Sequence, residues 1–412
     1  MLRKLFTSFF LFAILFARLP AAAENRDTDT HRRIDSIAGL LPALEGPERA
    51  GAYRAMDSLY SLTDRFDEHL ACLEDEIRYA RRQKDLNAEG KARIDIFATY
   101  FNRHEAWEQY LKRIDGDMNF WRDNKQWDNY YYAFYMAMRK LIHGNQAQAA
   151  IEKATAEYND AKARNNSPGK GVASAAMGVA YHSQDRYDEA VQCLEEAVDR
   201  LRKEPFGEYG SLLMEVYDEL VQSLFNNGDN DGSVRVLTEW GNLLEANRTL
   251  VHNAHWCNWY VTCGMAYTLL ERLSEAEDML NKADAIAVGM GDNAVKMVKG
   301  ACVPLYYAQK RYNEAMSLTD SLLNHFRWLT GEQIIMQKYK LAIADSIGNA
   351  ALAVEIRKEL YHLNDSINTI EIAAKLDELR TLYEVDRHVM EKQRNRNYFT
   401  FAAIACILIL SG

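Results

Sequence analysis

The densest set of side chains able to do chemistry is His252-Asn253-Ala254-His255-Trp256-Cys257-Asn258-Trp259-Tyr260, followed by Cys263. Two imidazoles three residues apart share a helix face and Cys257 adds a soft ligand, which are the ingredients of a zinc site. The same letters put His252, Trp256, Trp259 and Cys263 on one helical stripe, and an aromatic stripe of this kind reads as helix packing. Cys257 and Cys263 would point to different faces and cannot bridge within that helix. Gly169-Lys170-Gly171 lacks the upstream glycine and the following hydroxyl of a phosphate cradle, so it reads as a flexible link before a helix. Glu195 and Glu196 are neighbours in sequence, do not face each other on a helix, and make no acid–base pair. No HExxH, GxSxG or P-loop occurs in the 412 residues. The reading is a protein that is not an enzyme, with no cofactor and no metal.

The elements that position these side chains are helices. Hydrophobic residues make up 48% and charged residues 26%, and only six prolines and 21 glycines interrupt long stretches free to be helical. Repetition is the strongest signal. Met177-Gly178-Val179-Ala180-Tyr181, Tyr187-Asp188-Glu189-Ala190, Leu194 and Ala197 recur at the same offsets as Gly264-Met265-Ala266-Tyr267, Leu273, Glu275-Ala276, Leu280 and Ala283. Gly178 and Gly264 let the first helix of a hairpin approach the second, and Ala190 and Ala276 let the second answer it. A nine-residue step from bulky to small residue predicts further copies at Phe97 to Ala106, Leu141 to Ala150, Ser223 to Gly232, Tyr306 to Ala315 and Asp345 to Val354. With the two clear copies, seven hairpins stand in register.

Turn residues at Asn165–Gly169, Glu204–Gly207 and Asn226–Gly232 fall between the predicted helices. Pro304 lies inside a predicted first helix and implies a kink or a late start. The tripeptide Asp-Ser-(Ile/Leu) recurs at Asp35, Asp57, Asp320, Asp345 and Asp365, and reads as helix-end chemistry.

The two clear copies resemble the tetratricopeptide repeat, although the small residues stand 44, 40, 42, 44, 39 and 39 apart where the family repeat is about 34. The resemblance implies an all-α superhelical array of helical hairpins that binds protein or peptide on its concave face. Within the run Tyr130-Tyr131-Tyr132-Ala133-Phe134-Tyr135 it places Phe134 and Met138 in the hairpin core, and Tyr132, Tyr135 and Arg139 on that face. It puts Val179, His182 and Ser183 there in one repeat, and Met265, Thr268 and Leu269 in another. Tyrosine and arginine are the side chains of binding hot spots, and the alternative is that all these positions are partly buried packing residues.

The chain ends carry their own signals. Residues 1–23 have a basic start, an apolar run from Leu5 to Ala17 and an Ala-x-Ala exit, the layout of a signal peptide. Its removal takes away Arg3, Lys4 and Arg18 and no acid, moving the net charge from −10 to −13 and disfavouring nucleic acid as a partner. Residues 24–90 read as capping helices and 91–364 as the repeats. Residues 365–397 read as a connecting helix. Ile372, Leu376, Leu379, Tyr383 and Met390 form a short seam there, suited either to a homodimeric coiled coil through 372–390 or to packing on the last hairpin. Residues 398–412 form an uncharged apolar run about five residues short of a membrane span, so the chain reads as part of a longer product. Lys392, Arg394 and Arg396 before that run argue for a cytoplasmic side, against the signal peptide. The order of export signal, repeats and membrane-directed helix resembles the periplasmic sensor region of bacterial two-component histidine kinases and helix-turn-helix regulators. This implies a protein or peptide ligand in the periplasm and anchoring to the inner membrane. The alternative is an anchored scaffold without signalling output. The six scattered cysteines read as small buried residues rather than a disulfide framework.

Overall fold

The computed structural model describes residues 24–363, apart from 61, 62, 64, 102–106, 145 and 326–329. The signal segment, the connecting helix with its seam, and the terminal apolar run therefore lie outside the described residues. So does Ala106, the second half of one expected repeat. All regular structure among the described residues is helical. No described helix is long and apolar enough to cross a membrane.

Four helices open the chain: α1 (Glu24–Leu40), α2 (Gly46–Tyr60), α3 (Phe66–Gln83) and α4 (Leu86–Phe101), each packed on the one before it. The expected division at 90/91 falls inside α4. Two short helices follow, α5 (Trp107–Leu111) and α6 (Ile114–Asp123). Then come five complete hairpins. They are α7 (Trp127–His143) with α8 (Ala147–Ala163), α9 (Ser167–Ser183) with α10 (Tyr187–Leu201), and α11 (Phe206–Asn227) with α12 (Asn230–Ala246). After these come α13 (Asn253–Leu269) with α14 (Leu273–Met290), and α15 (Asp292–Ala308) with α16 (Tyr312–His325). A sixth pairs α17 (Thr330–Ser346) with helical residues 350–363, designated α18.

One backbone device closes these hairpins. Asp185, Gly228, Glu271, Lys310 and Gly348 adopt left-handed conformations. The next amide reaches back five residues, as Arg186 N does to Tyr181 O at 3.0 Å and Arg272 N to Tyr267 O at 2.9 Å, a Schellman closure. Four residues on, the small residue donates to that same position, as Ala190 does to Arg186 O and Ala276 to Arg272 O. The side chains repeat too. Arg186, Arg272 and Arg311 lie 4.3, 4.4 and 4.1 Å above the rings of Tyr181, Tyr267 and Tyr306. Each also pairs with the glutamate three residues on, Glu189, Glu275 and Glu314. The bulky residue that ends the first helix is thus covered by the arginine that begins the second.

This geometry corrects the register in two hairpins. Ser233 and Ala353, not Gly232 and Val354, make the small-residue bonds, to Asp229 O at 3.1 Å and Asn349 O at 3.0 Å. Val354 is 51% exposed whereas Ala353 is buried. Gly232 instead receives the Asp229 side-chain cap at 2.8 Å. The small residues are then Ala150, Ala190, Ser233, Ala276, Ala315 and Ala353, at intervals of 40, 43, 43, 39 and 38.

Other expectations change as well. Gly169 lies in the first turn of α9, where the Asn166 side chain accepts from its amide at 2.7 Å, so it is no flexible link. Helix α15 starts at Asp292 and runs through Pro304 without a late start. Asp365 lies outside the described residues, and the other four aspartates of the Asp-Ser tripeptides do not cap helices. Asp35, Asp57, Asp320 and Asp345 instead reach across to Arg65, His69, Lys340 and Arg357 of a following segment. The core runs along the array, one large cluster from α3 to α13 followed by smaller ones.

Candidate functional site

Helix α9, Ser167-Pro168-Gly169-Lys170-Gly171-Val172-Ala173-Ser174-Ala175-Ala176, carries small residues through its first three turns. Its neighbours α7 and α11 therefore meet across it. Of the side chains expected on the concave face, Tyr135 and Arg139 of α7 and His182 of α9 lie at this junction, whereas Met265 and Thr268 lie on α13. Tyr135 and Arg139 are buried, as are His182, Met265 and Thr268. Thr268 turns its hydroxyl onto Gly264 O at 2.8 Å. Tyr132 is half-buried, its ring 6.4 Å from that of Phe97. Ser183 is exposed, its hydroxyl on Ala180 O. Phe134 and Met138 lie in the core as expected.

Arg139 joins α7 to α11. It pairs with Glu215 and stands 3.4 Å from Glu219, with two carboxylates facing one guanidinium. Asp218, also on α11, accepts from the Gln222 amide at 3.0 Å. The hydroxyl of Thr262 on α13 is 2.9 Å from both Asp218 Oδ1 and the Asn258 carbonyl. That hydroxyl has one proton. Directed to Asp218, it opposes the burial that drives this carboxyl well above the usual range.

His182 of α9 closes the cluster. Ser223 donates to Glu219 O at 2.8 Å, so His182 Nδ1–H donates to Ser223 Oγ at 2.7 Å and Nε2 accepts from the Asn226 amide at 3.2 Å. This neutral tautomer matches a His182 pKa lowered by burial. The acids, Gln222 and Thr262 were not among the expected site residues.

The cluster sets a pH dependence. Burial pushes Glu215 up to about 7 from 4.5, with Glu219 adding and Arg139 opposing. A raised carboxyl binds its proton more tightly in the folded state, so its stability is full below pH 4.5 and is lost as pH rises through 7. The lowered His182 acts the other way, losing stability as pH falls below its ordinary 6.5. Glu215→Gln isolates the first effect. Between pH 5 and 7.5 the wild type is expected to lose on the order of 1–3 kcal/mol relative to that variant in denaturant titrations. Parallel pH profiles would contradict the assignment.

The remaining candidates are structural. Trp259 donates to Leu237 O at 3.0 Å and covers Gly241, where a Cβ would lie 2.5 Å from its ring, so the aromatic stripe is helix packing. Among the described residues no group of three His, Cys, Asp or Glu is placed to hold a metal. The five described cysteines are free. Burial is the main cause that raises each of their thiols, Cys257 and Cys302 to about 11 and Cys263 to about 12, which leaves them unreactive.

Comparison with known proteins agrees with this architecture at one place. Residues 175–204, which span the second half of α9 and all of α10, match the family described as Tetratricopeptide repeat. The match and the helical array support a protein of tetratricopeptide type, a class that mediates protein–protein interaction. A search of curated proteins found no match.

Proposed function

We propose that this chain is a non-enzymatic protein- or peptide-binding repeat region in the periplasm, forming the sensor part of a membrane signal-transduction protein. The observation that carries the binding half is the convergence of the inner positions of α7, α9 and α11 on one polar junction, flanked by the accessible Tyr132 and Ser183. Structural packing alone does not require so many charged groups. Export rests on the layout of residues 1–23. Anchoring to the inner membrane rests on the apolar run 398–412, with 365–397 as the element that carries a shift toward it.

Two measurements test this. Protease added to spheroplasts should digest the repeats while intact cells protect them; digestion only after lysis would remove the periplasmic assignment. The tagged full chain should capture a partner from periplasmic extract, and Tyr132→Ala with Ser183→Arg should reduce capture at least tenfold with the helical signal unchanged. Capture indifferent to both substitutions would sink the binding face.

A further inference from the structure

The α7–α11 junction is out of balance in a way the ionic cluster around Asp117 is not. Around Asp117 in α6, the carboxylate accepts from Arg93, from Arg113 at 3.0 Å and from the Tyr110 hydroxyl at 2.9 Å, so both of its oxygens are satisfied. At the junction, both carboxylate oxygens of Glu219, the Gln222 Oε1, the Tyr135 hydroxyl and Arg139 Nη2 have no hydrogen-bond partner, Nη2 standing 3.4 Å from Glu219 Oε1, so acceptors still outnumber donors. All four side chains are more than nine-tenths buried. Gln222 cannot turn to relieve this, because its amide nitrogen is committed to Asp218. A buried acceptor left unmade costs about 1–3 kcal/mol, more when charged.

The charges point the same way. The groups facing the junction are Tyr135 and Arg139 from α7, neutral His182 from α9, Glu215, Asp218 and Glu219 from α11, and the uncharged Thr262 from α13. With Asp218 kept neutral by burial and Glu215 ionised, as it is above a pH of about 7, two carboxylates face one guanidinium and one negative charge is uncompensated. One cation with three donors would balance both the charge and the acceptors, and a primary ammonium group has that composition.

We propose that this junction recognises a primary ammonium group, the side chain of a lysine in a peptide partner. Glu219 and Gln222 supply the acceptors, and Glu215, whose side chain is 16% exposed, forms the mouth. This deepens the peptide-binding reading and rests on it. Lysine modified by acetylation has neither the charge nor the three donors and is rejected.

The test uses the detergent-solubilised full chain and three small probes: lysine capped at both backbone ends, its side-chain-acetylated counterpart, and butylamine. Calorimetric titration should show saturable binding of capped lysine, at least tenfold weaker binding of the acetylated form, and at least tenfold loss in Glu219→Gln and Gln222→Met. Absence of saturable binding to the wild type, or equal binding of the acetylated probe, overturns the proposal even where both variants fail to fold. Butylamine binding more tightly than capped lysine would overturn the peptide source. Partner capture from extract without capped-lysine binding defeats this inference and leaves the broader reading standing. Capped-lysine binding without any capture defeats the broader reading.

Discussion

Arg139→Met is expected to lower the stability of the array by about 3–5 kcal/mol, measured as a shift of the denaturation midpoint. The size follows from what the substitution leaves behind. Met fills a similar volume, so packing is largely kept. Glu215 and Glu219, however, lose the one cation facing them in a junction where Glu219 is 1% exposed. A surface ion pair would give less than about 1 kcal/mol, so the magnitude separates a buried junction from an open concave face. Hydrogen exchange should also rise first in α7 and α11, the two helices that Arg139 ties across α9.

Gly178→Val and Gly264→Val form the second large prediction. A Cβ at Gly178 would lie 2.6 Å from Leu194 Cγ and 3.2 Å from Ala190 O, and at Gly264 it would lie 2.6 Å from Leu280 Cγ and 3.3 Å from Ala276 O. The leucines can rotate, but the carbonyls belong to the facing helices and give way only if α10 or α14 shifts. Overpacking of this kind costs about 1–3 kcal/mol, and each variant should lose that much. Gly51→Ala is the control, since Gly51 lies in α2 with nothing within 4 Å of its added Cβ. There the helix should gain about 0.5–1 kcal/mol. A loss at Gly51 equal to that at Gly178 would show that the effect is not close approach of helices.

The hairpins were legible because their spacing is enforced by geometry that leaves few choices. Gly178 and Gly264 face leucines sixteen residues on, and a larger residue at either position collides, so the letters carry the contact. The turns were legible only to within one residue. Asp229-Asn230-Asp231-Gly232-Ser233 offers two small residues in succession, and sequence gives no reason to prefer Ser233 until the backbone bonds are known.

That single step decided what could be seen of the site. Counting back from Ala150, Tyr132, Tyr135 and Arg139 occupy the inner positions of α7. Counting back from Ser233 by the same amounts gives Glu215, Asp218 and Gln222, of which Glu215 pairs with Arg139 and the other two bond to each other. Counting from Gly232 gives Met214, Tyr217 and Val221, which are apolar or aromatic and look like core. Burial of the inner face was only one of two readings the sequence left open, a binding surface or partly buried packing. It arises from the small side chains of α9 acting on helices 40 residues away on each side, a tertiary effect that no local pattern announces.

Whether α7 and α11 are joined through Arg139 is tested most directly by a double-mutant cycle. Arg139→Met is combined with Glu215→Met and Glu219→Leu, and the stabilities of the four proteins are compared. If the junction exists, removing both sides should recover most of the loss from removing one, with a coupling of about 2 kcal/mol or more. Losses that add to within about 0.5 kcal/mol would mean that the two helices do not meet there.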